Sequence, residues 1–95
     1  MDIKNSGNQI SIIGNIKTVS DYQKIKSVVD SVVTSHPNIT IEIIDSLSIT
    51  SSVIGYFNKL VLKDNIKINM RVGNAQLMEL LEDLNLSSLF NARKA

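Results

Sequence analysis

The sequence predicts an α/β domain in which a mixed sheet of about four strands carries helices mainly on one face. Three features of the chain carry this expectation. Segments with alternating apolar residues take turns with segments whose apolar residues recur every three or four positions. Strand–helix–strand order makes neighbouring strands parallel. The strands also alternate apolar with polar residues, whereas strands covered on both faces read as unbroken apolar runs.

The elements follow in order. "QISIIGNI" (9–16) spaces Ile10, Ile12 and Ile16 evenly, with Gly14 in the same register, which is a strand pattern. A short strand around Ile3 precedes it, with "NSGN" (5–8) as the turn. Over 19–36 the period changes: Tyr22, Ile25, Val29, Val32 and Val33 share one helical face, with Asp21, Lys24, Ser27 and Asp30 largely opposite. Ser20 and Gln23 fit a capping box, and Pro37 ends the segment. Its many valines are poor helix formers, so packing has to hold it. "ITIEII" (39–44) is a strand. From 50 to 63 Val53, Tyr56, Phe57 and Leu60 recur at helical spacing, widened by Ile54, Val61 and Leu62. "IKINMRV" (66–72) alternates throughout, and Asn74 caps a helix whose face is Leu77, Leu80, Leu81 and Leu84. "LSSLF" (86–90) reads as one last helical turn and "NARKA" as a frayed tail. The sheet face carrying Thr40, Glu42, Lys67, Asn69 and Arg71 is expected to be wet or used by a partner.

The totals narrow the function classes. A chain of 95 residues has room for one core. Ten basic against nine acidic residues leave a net charge of +1, which gives no support to nucleic-acid binding through phosphate contacts. With no cysteine, disulfides, thiolate metal sites and a cysteine nucleophile are excluded. No apolar run is long enough to span a membrane and the N-terminus lacks the layout of a secretory signal, so a cytoplasmic location is expected, without membrane insertion. No phosphate-cradling glycine loop is present, and no cofactor is called for. His36, beside Pro37, reads as a solvated helix end rather than a general base, since nothing near it in sequence looks like a nucleophile or an orienting group. Glu79, Glu82 and Asp83 read as a solvated helix face, and no metal site can be assembled. The domain is therefore expected not to be an enzyme. Asp45 stands apart, at a strand end where α/β domains usually place ligands; a turn residue bonding its own backbone is the other reading.

Asp45 at the end of an isoleucine-rich strand, the hydroxyl run Thr50-Ser51-Ser52, the helix "VIGYFNKL" (53–60) and the segment "INMRVGNAQLMELLEDLNLSSLF" (68–90) together resemble the STAS domain family, named for sulfate transporters and anti-sigma factor antagonists. The likeness extends over most of the chain. The family's regulatory motif is Asp-Ser-Ser-Gly, and its first serine is phosphorylated by a partner kinase. That motif falls on Thr50, Ser51, Ser52 and Val53, which makes Ser51 the matching phosphoacceptor, with Ser52 as the alternative. Thr50 replaces the acid and Val53 the glycine.

The resemblance implies a bacterial regulatory module that binds a kinase-like anti-sigma factor or related serine kinase, is released by serine phosphorylation, and is reset by a phosphatase. The contact surface it implies comprises Asp45, Thr50, Ser51, Ser52 and Tyr56. Stand-alone members also resemble constitutive adaptor subunits of cytoplasmic transporter ATPase complexes. The plain reading of the hydroxyls stays open beside these: one is an N-cap and the others are fillers. One hydroxyl can cap while its neighbour is modified.

Overall fold

A computed structural model describes all residues, 1–95. The chain forms β1 (Asp2–Ser6), β2 (Gln9–Ile13), α1 (Val19–Val33), β3 (Asn38–Ile43), α2 (Ser51–Leu62), β4 (Lys67–Val72), α3 (Ala75–Asp83) and β5 (Ala92–Lys94). The α/β class and the extra leading strand agree with the sequence reading. The sheet has five strands rather than about four, in the order β1-β2-β3-β4-β5. The tail read as frayed is the fifth: β5 pairs parallel to β4, with Arg93 opposite Arg71. Three residues show too little alternation to read as a strand. The turn before β5 places them, through Ala92 N–H donating to Ser87 O and Asn91 N–H to Ser88 O.

β1 and β2 form an antiparallel hairpin, and the other pairings are parallel. Gly7 turns the hairpin at φ 57°, a conformation that only glycine adopts freely. Because each parallel strand joins beside the one before it, right-handed crossovers all pass over the same face. Burial follows: Ile10, Ile12, Ile39, Ile41, Ile43, Ile68, Met70 and Val72 are buried under the helices. Val29 and Ile25 of α1, Phe57 and Leu60 of α2, and Leu77 and Leu81 of α3 close the same core. Phe57 and Phe90 meet edge to face at 5.9 Å, which ties the last turn to α2.

Several local readings change. Gly14, at φ 91°, ends β2 before Ile16, which is buried in the following loop rather than in the strand. The α1 capping box is Thr18 with Asp21, not Ser20 with Gln23. The Asp21 carboxylate accepts from Lys17 N–H and Thr18 N–H, charge-assisted bonds that a glutamine cannot equal. Those two bonds hold the Asp21 carboxyl below its usual range, against a smaller opposing effect of burial. Asp21 is consequently buried and not on the wet side of the helix. Leu80 of α3 and Leu84, the residue that caps its end, are exposed, and Met78 packs on the core instead.

Gly73 N–H donates to Ile43 O at 2.8 Å, and a Cβ at Gly73 would run into the Ile44 carbonyl. Gly55, within α2, faces open space. Gly73→Ala is therefore expected to destabilise by about 2–4 kcal/mol, the range of overpacked backbone contacts. Gly55→Ala is expected to stabilise by about 0.5–1 kcal/mol. Urea unfolding of the two variants checks both signs.

Candidate functional site

β2, β3 and β4 point the same way, so the loops at their carboxyl ends and the starts of α1, α2 and α3 share one edge. The first two of these loops are latched together. Gly14 N–H donates to Asp45 Oδ1, Ile16 N–H to Ser46 Oγ (3.0 Å), Leu47 N–H to Asn15 Oδ1 (2.8 Å), and Ser48 Oγ to Ile16 O (3.1 Å). Ser46 is the hub. It is fully buried, and its hydroxyl also donates to Ser48 O at 2.6 Å. The latch satisfies backbone groups that a buried loop would otherwise leave unpaired.

The loop delivers the chain to α2. Thr50 is the N-cap, its hydroxyl accepting from Val53 N–H at 3.3 Å. Ser51 and Ser52 are the first two helical residues, both exposed, and neither hydroxyl has a partner within the protein. The first turn holds no acid. Asp45, exposed at the same edge, accepts from Gly14 N–H of the loop after β2, so it ties two loops together rather than bonding its own turn. A strand order without reversal also opens no crevice of the kind that binds ligands in doubly wound sheets. The starts of α1 and α2 enclose only a small cleft of about 110 Å³, bordered by Lys17, Val19, Tyr22, Thr50 and Ser52. That is well below a small-molecule pocket of roughly 300 Å³ or more.

Tyr56 is placed differently from the other sequence-predicted residues. It is 5% exposed and lies between α1 and α2. Its hydroxyl donates to Asp30 Oδ1, and its ring stands edge-on to Tyr22 at 6.3 Å. Lys26 Nζ lies 5.5 Å from the ring centroid and pairs with Asp30 at 2.7 Å. Burial, and then the bond to Asp30, pushes the Tyr56 phenol far above its ordinary range. Burial pushes the Asp30 carboxyl upward, but its bonds from Lys26 and Tyr56 together outweigh this and leave it lowered. Tyr56 thus joins two helices. Its bond to a half-exposed carboxylate is worth about 1 kcal/mol after solvent screening.

Sequence reading brought Asp45, Thr50, Ser51 and Ser52 to one edge, and the structure keeps them there. It missed Ser46 and Asn15, whose partners lie about thirty positions away, beyond any local pattern. It also missed three exposed apolar side chains at this edge: Val19 (73% exposed), Ile44 (42%) and Leu47 (51%). Ile44, which breaks the alternation of its strand, and Leu47, outside any periodic segment, carried a signal; Val19, in helical spacing with Tyr22, did not. His36 is half-buried just past α1, and no three His, Asp or Glu side chains converge as a metal site would need.

The chain is a one-sided α/β domain with a hydrogen-bonded, partly apolar loop edge. No family model matches the chain, and neither a curated protein nor a solved structure matches it.

Ser46→Ala would strand the buried Ile16 N–H and free the loop. A loss of about 1–3 kcal/mol is expected. Amide exchange should accelerate at Ile16 and Leu47 while the β3 and β4 amides stay protected.

Proposed function

We propose that the domain is a reversible protein-binding module of the anti-sigma factor antagonist kind. It binds a kinase-like anti-sigma factor in the cytoplasm and is released when Ser51 is phosphorylated, with Ser52 as the alternative acceptor. One observation carries this reading: the capping role is filled by Thr50, which leaves the Ser51 hydroxyl exposed and free at the first position of α2.

The departure at Thr50 then has a physical consequence. Threonine caps as aspartate does, but it brings no charge to the helix start. With no acid in the first turn, the positive end of the helix dipole is not neutralised locally. A phosphoryl group on Ser51 adds about −1.5 to −2 charges there. The domain tolerates that charge, and a partner seated on the edge does not. Val19, Ile44 and Leu47 supply the apolar contact that such docking needs.

A second reading is a constitutive adaptor in a transporter ATPase complex. Val53 favours it. Where the switch family keeps a glycine, this valine is fully buried and anchors the first turn of α2 in the core, which suits a contact that does not need to change.

The test uses the purified domain as wild type, Ser51→Ala and Ser51→Glu. Capture of an ATP-dependent serine kinase by the first two but not the third is expected, with phosphate mapped by mass spectrometry to Ser51 or Ser52. Capture of a transporter ATPase by all three would decide for the adaptor. A captured kinase that leaves both serines unmodified would overturn the switch.

A further inference from the structure

Across the open face of the sheet, one register row runs through all five strands: Lys4, Ser11, Glu42, Arg71 and Arg93. It ends in two guanidinium groups on adjacent strands. Neither is paired, since the molecule's two salt bridges are Lys26–Asp30 and Lys59–Asp64. Glu42, in register with Arg71, accepts instead from Ser11 Oγ at 3.2 Å. Like charges directly opposite on neighbouring strands repel; Glu42 flanks Arg71 from β3 without forming an ion pair with it, and Arg93 has no acid opposite it.

The two arginines border a groove of about 680 Å³ with Thr40, Asn69, Asn91 and Lys94. Thr40 and Asn69 are themselves in register, one row from Glu42 and Arg71 on the same face. They add neutral donors beside the charged ones. We propose that this groove is a binding site for a small phosphorylated molecule carrying two or more negative charges, gripped by Arg71 and Arg93. Guanidinium groups present planar forks that match phosphate oxygens two at a time, and a bound anion removes the repulsion between them.

The lining argues against larger occupants. Single-stranded nucleic acid needs aromatic platforms, but Phe57 and Phe90 are buried and Tyr22 and Tyr56 stand on helices across the sheet. A protein partner needs an apolar anchor, and none of the exposed large apolar side chains borders the groove. The site stands apart from α2 and does not depend on the reading of Ser51.

Inorganic pyrophosphate is titrated into the ¹⁵N-labelled domain, with sodium chloride at matched ionic strength as the control. Saturable shifts are expected at Thr40, Asn69, Arg71 and Arg93. Arg71→Gln and Arg93→Gln should each weaken binding roughly tenfold. Glu42→Gln should bind as tightly as wild type or more so, because it removes a competing carboxylate. Without anion, Arg93→Gln should be at least as stable as wild type, which separates lost binding from lost folding. Shifts that chloride reproduces, shifts that never saturate, or arginine variants that bind like wild type would overturn the site. Tighter binding of malonate than of pyrophosphate would overturn its assignment to phosphate.

Discussion

Each parallel strand of this domain is laid beside the one before it, and the consequences of that constraint reach every other part of the molecule. Successive right-handed crossovers have no choice of face, so all three helices cover the same side. One side of the sheet becomes the core, filled mainly by isoleucine, and the other is left to water and polar residues. The same order gathers the carboxyl ends of β2, β3 and β4, and with them the helix starts, along a single edge. The domain therefore has two chemically distinct surfaces: an edge with exposed apolar and hydroxyl side chains, and an open face with unpaired arginines.

The edge is a stiff surface. Four hydrogen bonds link the loop after β2 to the loop after β3, and Ser46 is buried among them. Tyr56 joins α1 to α2 below, and Val53 seats the first turn in the core. A charge added at Ser51 thus meets a backbone that cannot easily yield. Under the proposed switch, modification would alter what the surface presents rather than how the chain is folded, and the dipole of α2 makes that addition favourable within the domain.

How much of this was legible beforehand depended on the range of each interaction. The alternation in "IKINMRV" and the helical spacing of Val53, Tyr56, Phe57 and Leu60 report burial directly, and those elements lie where expected. Asn74 and Thr50 cap through neighbours two or three residues away, within reach of sequence reading. β5 was out of reach because three residues carry too little pattern, and it forms only through the turn that delivers it to β4. Ser46 and the Arg71–Arg93 pair depend on partners distant along the chain. Tyr56 lay on the expected helix, but its spacing could not tell a flank facing a partner from one facing α1.

Under the proposed switch, the α2 edge is a preformed surface whose charge changes without a change of fold. Amide chemical shifts of the domain carrying phosphoserine at position 51, compared with the unmodified domain, test it directly. The expected result is a set of changes confined to residues around 45–55 and the adjoining start of α1, with β2, β3 and β4 unmoved. Shifts that spread through the strands, or loss of the folded spectrum, would contradict it.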